Sequence, residues 1–572
     1  MNLVAAGKSD KKSCENSGKM PRLVRFVEAH TQDDQISDKS KRWLLWGYLL
    51  LGGLLLWRLF YIASGLIELS QDEALYWLQS KHLDLSYYSK PPLTAYTQLI
   101  GTALWGDNDF GVRFFSPVIS ALIGFICLRF CARELNARLG FVLVLITNAI
   151  PLLMVGSTLM TIDPLSVLFW TAAMLTGWQA VQADGSTRHW LWVGFWTGLG
   201  FLSKYTGLFQ LLCWVLFFAL WPPARMHLRR PGPYLALLVN CVVALPVLIW
   251  NAQHDWVTVT HVGGRADFGH LSHFTARYLL EFIGAEIGLL NPVFFAGMVW
   301  AGVAFWSARP RDPRMIYFFS MGAPLVFAYL LQALHARVLP NWIAPAVVPF
   351  LLVMLLHWDA RRQQPWVRCL FHGGLVLGLI SMIVISDTDT LKMVTGHHLP
   401  MSINPLRRVR GWSETARLLG EARQNLLKEG KPVFIICPGY SSASEVTFYL
   451  PEAKAAVPRH AIVYCWGADK PISEFYFWPE YNYRQRIGDN AIFVKEIGLV
   501  SGKNEPQTMP ETPPDELMRQ FHSVKYIGTV HADFRGRPVR WFQLFECRDQ
   551  LPETPSAETG SQTSKRQPFC PS

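Results

Sequence analysis

Long apolar runs separated by short polar or basic stretches dominate the first two-thirds of the chain. A helix needs about 20 apolar residues to cross a bilayer. Runs of that order cover Trp43–Ile62, Phe114–Phe130, Leu139–Thr158, Pro164–Val181, Trp190–Leu202 and Gly207–Trp221. Further runs cover Tyr234–Trp250, Tyr278–Trp306, Met315–Leu331, Ile343–His357 and Cys369–Ser386. The pattern predicts about eleven transmembrane helices. After Asp387 the pattern changes. Gly411–Leu427 carries Trp412, Ala416, Leu419 and Ala422 at helical spacing, and strand-like runs follow at Pro432–Cys437, Ala461–Cys465, Ala491–Glu496, Val524–Val530 and Val539–Glu546. The expected fold is a polytopic α-helical membrane protein with a C-terminal α/β domain. Its parts are a disordered tail (1–42), a transmembrane domain (43–386) whose first outer loop is 65–113, the α/β domain (387–551) and a second disordered tail (552–572).

Composition sharpens this picture. Of 572 residues, 51% are hydrophobic and 17% charged, against about a quarter charged in soluble domains. The net charge of +11 has no nucleic-acid motif beside it, and positive charge retains short loops in the cytoplasm. Arg129, Arg133 and Arg138, then Arg225, Arg229 and Arg230, then Arg309, Arg311 and Arg314, then Arg361, Arg362 and Arg368 all fall between spans on one side, shared with the N-terminal tail. Loop 65–113, the turns at Asp163, Lys204 and Arg337, the loop Asn251–Thr275 and everything after Asp387 then face outward. Cys437, Cys465 and Cys547 lie in that outer part, where one pair is able to form a disulfide. No Cys/His pattern of a structural zinc appears.

The outer loop is long and rich in acids and aromatics. It carries Asp72, Glu73, Tyr76, Trp77, the run Tyr87-Tyr88-Ser89-Lys90-Pro91-Pro92, and Arg113. Ser70 with Glu73 three residues on matches a capping box, so part of this acidity has a structural use. Lys90 and Arg113 fit interface anchors equally well. Asp163 is the only ionisable residue between Leu139 and Val181. Followed by Pro164, it reads as a helix cap at an outer hairpin tip. Lys204 stands similarly alone at the next outer hairpin. Carboxylates and cations gathered at one membrane face suit group transfer from a lipid-anchored phosphate: cations hold the departing phosphate, and a carboxylate takes the acceptor's proton.

The runs DEALYW, YYSKPPL and WGDNDFGVRF, in that order, resemble the first outer loop of GT-C membrane glycosyltransferases. The resemblance is nearest to the protein O-mannosyltransferase-like branch, which includes bacterial lipid A aminoarabinose and galacturonic acid transferases. STLMTIDPLS, GLGFLSKYTG, PVLIWNAQHDW and HARVLPNW match as well. The resemblance implies transfer of a sugar from a polyprenyl-phosphate donor to a lipid A, glycolipid, polysaccharide or protein acceptor. The transfer is expected to invert the anomeric carbon, either without metal or with help from a divalent cation. Asp72 falls on the family's catalytic aspartate, Glu73 completes the acidic pair, and Asp163 falls on the second-loop aspartate. Lys90 is assigned to the donor phosphate, with Arg113 and Lys204 as further candidates. Tyr76, Tyr88, His254, His335 and Asn341 are candidates for substrate contact. One departure stands out: Ser89 precedes Lys90 where the aminoarabinose transferases carry a glutamate. A lipid or solute transporter is the competing reading. It calls for charges near the bilayer midplane and repeated halves, and the sequence shows neither.

Overall fold

The computed structural model describes residues 38–182, 186–265, 275–457, 459–467, 471–503 and 505–552. The two tails expected to be disordered lie mostly outside the described residues. The first helix, Asp38–Ala63, begins before the expected boundary at Trp43, with acidic Asp38 in its first turn, a favourable charge for a helix N-terminus.

Helices follow the apolar runs, but two runs are broken. Leu139–Thr158 divides into Ala137–Asn148 and Pro151–Gly156, because Pro151 has no N–H to continue the ladder. The run Tyr278–Trp306 is two helices, Ala276–Leu289 and Pro292–Ser307, bent by 112°. Asn291 there sits at φ 62°, ahead of Pro292. The expected count of about eleven spans is not reached by length and composition alone. Among the described residues six helices are long and apolar enough to cross a membrane, or up to eight if each bent pair is one span. Other apolar helices, such as Thr187–Ser203 at 17 residues, are shorter than a full crossing. Helix Pro365–Ser386 buries little of its surface, leaving Val376, Leu379, Ile380 and Ile383 exposed. An apolar surface of this kind is stable against lipid and costly against water.

The two ends of the bundle differ. At one end Arg138 pairs with Asp359, and a cavity is lined jointly by Asn136, Arg311, Arg314 and Arg361. Three of the basic loops therefore lie together. The opposite end carries the loop 65–113 and the C-terminal domain.

That domain contains a five-stranded sheet in the order β2-β1-β3-β5-β4. Its strands are β1 (Val433–Cys437), β2 (Val463–Cys465), β3 (Asn490–Ile497), β4 (Phe521–Phe534) and β5 (Arg537–Gln550). β1 runs parallel to β2 and β3, while β5 is antiparallel to β3 and β4. Every residue of β1 is buried, as expected for a strand inside a parallel sheet. Cys437 and Cys465 are register neighbours, and they and Cys547 are free thiols.

The domain is not appended at a distance. Leu69, Ala74, Leu75, Trp77 and Leu78 of the outer loop share one hydrophobic core with Phe434, Ile436, Phe448 and Phe493 of the domain. Trp77 meets Phe448 edge-on at 4.9 Å. Glu68 accepts hydrogen bonds from the Trp412 and Ser413 amides. Burial of this mixed core fixes the loop that carries the candidate chemistry.

Candidate active site

Helix Gln71–Lys81 starts with a capping box: Ser70 is the N-cap and Glu73 closes it. Asp72 and Glu73 are adjacent in sequence, so helical geometry turns them about 100° apart. The structure sends them into opposite environments. Glu73 is wholly buried, and Arg113 donates to it through Nε and Nη2, both at 2.8 Å. Glu73 also accepts from the Ser70 amide at 2.9 Å and the Met160 amide at 2.8 Å. Burial alone would raise its carboxyl, yet Arg113 and these donors hold it below the ordinary carboxylate range. The remaining Arg113 donors reach the carbonyls of Ile67 and Glu68 at 3.0 and 2.6 Å. The expectations of a catalytic Glu73 and a phosphate-binding Arg113 meet a pair occupied with each other and closed to solvent. Its visible effect is to tie the loop helix to the hairpin that carries Asp163.

Asp72 is exposed, and no hydrogen bond or ion pair engages its side chain in the described residues. Below it lies Tyr76, 1% exposed. Burial raises the Tyr76 phenol well above its ordinary value, and the carboxylates of Asp72 and Asp163 push it further. The phenol thus feels the charge of both acids.

Asp163 stands in the first turn of Ile162–Gln182. Lys204 Nζ lies 2.7 Å from its Oδ1, and Asn341 Nδ2 donates to its Oδ2 at 2.7 Å. Lys204 also approaches the Asn341 carbonyl at 3.5 Å. Three candidates from three hairpins thus form one cluster. Asp163 and Asn341 are partly exposed and Lys204 is buried: side-chain exposure is 15% for Asp163 and 8% for Lys204.

Lys90 sits on the turn before Pro91 and is half-buried, its carbonyl accepting from the Tyr87 amide at 3.1 Å. Its neighbour is a residue that sequence reasoning missed, Glu474 of the C-terminal domain. Glu474 Oε1 accepts from Ser89 Oγ at 3.0 Å and from Gln79 Nε2 at 3.1 Å. Burial raises the Glu474 carboxyl, opposed by the Ser89 hydrogen bonds and the Lys90 charge. A carboxylate thus faces position 89 from 385 residues along the chain. Its only local signal is acidity inside the aromatic stretch SEFYFWPEY. The same stretch covers the loop: His82 meets Glu480 at 2.9 Å and stacks on Trp478, and Phe477 packs on Tyr88 and Trp250.

His254 and Tyr88 lie in an aromatic layer with Trp250 and Phe477. His254 stacks on Trp250 at 3.9 Å and bonds the Trp250 carbonyl through Nδ1. Tyr88 is buried against His261. His335 is half-buried with no side-chain partner among the described residues, and it does not join the Asp163 cluster. No three His, Cys, Asp or Glu side chains converge among the described residues, and Glu474 Oε1 is already committed to Ser89 and Gln79.

Comparison with known proteins agrees with this architecture. Residues 89–250 match the family described as dolichyl-phosphate-mannose-protein mannosyltransferase. The lipid A galacturonosyltransferase RgtD of Rhizobium johnstonii is 28% identical over 480 residues, covering 82% of this chain and 95% of the relative. An undecaprenyl phosphate-alpha-4-amino-4-deoxy-L-arabinose arabinosyl transferase of Pseudomonas fluorescens is 26% identical, covering 65% and 70%. The crystal structure of ArnT from Cupriavidus metallidurans bound to undecaprenyl phosphate superposes with a TM-score of 0.55 at 14% identity, covering 87% of this chain and 97% of that one. Fold, matched segment and relatives agree: the chain resembles multi-pass membrane glycosyltransferases of the GT-C type, the lipid A-modifying transferases among them.

Proposed function

We propose that the chain transfers a sugar from a polyprenyl phosphate to a lipid A-type acceptor at the outer face of a bacterial inner membrane. Asp72 is the catalytic carboxylate. The observation that carries the reading is the contrast at the loop helix: Glu73 is fully committed to Arg113, while Asp72, next to it in the same helix, stands exposed and unpaired.

In this mechanism Asp72 accepts the proton of the acceptor hydroxyl as its oxygen attacks the anomeric carbon. The bond from that carbon to the phosphate oxygen breaks with inversion, and the electron pair leaves on the lipid phosphate. Lys90 and Lys204 stabilise the charge gathering there. Asp163 and Asn341 position Lys204, and Glu474 positions the Ser89–Lys90 turn. Glu73 and Arg113 act only through the helix they hold.

The donor sugar favoured is galacturonic acid. The tyrosine pair and Ser89 before Lys90 depart from the aminoarabinose type of loop, and the match to the galacturonosyltransferase extends over 95% of that relative. The basic loops at the opposite end support an orientation with the N-terminus cytoplasmic and the C-terminal domain periplasmic. A transporter finds no support, since the relatives are transferases and the charged cluster occupies one end of the bundle.

The test is reconstitution of the full chain in proteoliposomes with polyprenyl-phosphate galacturonate and lipid A, read by the acceptor's mass. Wild type adds one hexuronate. Asp72→Asn is expected to lose transfer by about a hundredfold or more at unchanged melting midpoint. Wild-type turnover in that variant removes Asp72 from the chemistry.

A further inference from the structure

A second cluster of charge lies away from the reaction site, where the last span meets the C-terminal domain. Helix Pro365–Ser386 has 22 residues, which at about 1.5 Å per residue matches a hydrocarbon core of about 30 Å. Its end is tied to the end of the first span by Tyr61, whose hydroxyl donates to the Ser386 carbonyl at 2.6 Å. Trp57 stacks on Tyr61. Aromatics at the end of the first span, level with the end of the last, mark the membrane–water boundary.

Four residues beyond Ser386, the short helix Thr390–Thr395 begins. Its Met393 and Val394 are 89% and 87% exposed. Neighbouring apolar side chains this bare, at the level of a bilayer surface, are stable only among acyl chains. Beside them opens a cavity of about 570 Å³ lined by Asp389, Lys392, Met393, His398, Arg535 and Arg537. The two arginines flank the β4–β5 turn, where Arg535 and Gly536 have φ of 52° and 71°. Those positive φ values are the hairpin geometry that turns the tip tightly and projects both arginines from one edge.

Cations exceed anions here. Asp387 and Asp389 serve Arg410, Arg535 and Arg537 together. Arg410 is wholly buried, and its Nε and Nη1 have no hydrogen-bond acceptor. Lys392 is exposed and has no partner among the described residues. Excess positive charge next to an apolar anchor at the lipid boundary matches one ligand chemistry, a phosphate carried on acyl chains.

We propose that this pocket binds the phosphate head group of an anionic membrane lipid, with Met393 and Val394 seated among its chains. The bound lipid would anchor the C-terminal domain to the bilayer surface through the domain's β4–β5 hairpin.

The test uses the full chain reconstituted in phosphatidylcholine containing phosphatidylglycerol, then released and weighed intact to count retained lipid. Wild type retains phosphatidylglycerol in preference to phosphatidylcholine, and soluble glycerophosphate does not displace it. Lys392→Ala weakens retention about fivefold, and Met393→Ser with Val394→Ser weakens it further. All three side chains are exposed, so the melting midpoint stays at the wild-type value. Equal retention in wild type and both variants overturns the proposal, as does displacement by glycerophosphate. Sugar transfer is not part of the readout, so this result and the activity of Asp72→Asn are independent.

Discussion

Glu73→Ala should cripple the fold, while Asp72→Asn, one residue earlier, should leave the fold intact and stop the reaction. Glu73 supplies both carboxylate oxygens to a guanidinium that, like itself, has no exposed surface. Its removal leaves the Arg113 charge buried with only the Ile67 and Glu68 carbonyls, and strips the Ser70 and Met160 amides of their acceptor. Breaking a buried pair from one side costs about 3–5 kcal/mol, a large share of a total stability of about 5–15 kcal/mol. Asp72 is exposed and unpartnered, and substitutions of that kind stay within about 0.5 kcal/mol. The assay is the melting midpoint of the detergent-purified chain by intrinsic fluorescence, beside proteoliposome turnover. Glu73→Ala should melt well below wild type. The double variant Glu73→Gln, Arg113→Met should recover part of the loss, because no uncompensated charge remains. A Glu73→Ala chain that melts with wild type and yet fails to turn over would refute the reasoning, since Glu73 would then be acting on substrate.

Three further outcomes follow from the same geometry. Lys204→Met should lower kcat by about a hundredfold or more, because it removes a cation held 2.7 Å from Asp163; single-turnover kinetics at saturating donor would show the change in kcat with the donor already bound. Ser89→Glu should place a second carboxylate against buried Glu474 and depress both stability and turnover, with Glu474→Gln restoring them in the double variant; additive losses would contradict the contact. Glu445 is wholly buried with both carboxyl oxygens unpartnered, and burial raises its carboxyl well above the ordinary value. The folded state therefore keeps a proton that the unfolded chain releases above about pH 4.3. Wild type should accordingly lose stability relative to Glu445→Gln as pH rises from there, by at most about 1.4 kcal/mol per unit; parallel melting curves between pH 4 and pH 8 for the two proteins would refute this.

What the chain disclosed by itself was local. Apolar runs of bilayer length, Pro164 beside Asp163 at a helix start, and the strand periodicity after Pro432 all act within a few residues. The helix at Trp412 and all five strands fall within a few residues of where the pattern puts them. The Ser70–Glu73 capping box is likewise a short-range interaction, legible before any fold is known.

Tertiary structure decided how the charges are used. Asp72 and Glu73 look alike in sequence, and only the arrival of Arg113, forty positions away, separates a free carboxylate from a buried strut. Asp163, Lys204 and Asn341 are three lone polar residues until three hairpins bring them within hydrogen-bond distance. Glu474 had no readable role until the domain folded over the loop and set it against Ser89. The bends after Leu220 and Leu289, which reduce the apparent number of spans, depend on backbone geometry that hydropathy does not encode. Hydrophobicity is a property of each residue and sums along a helix, so it can be read in one dimension. Electrostatic roles depend on which partner is near and whether water is excluded, and both are settled only when distant segments pack.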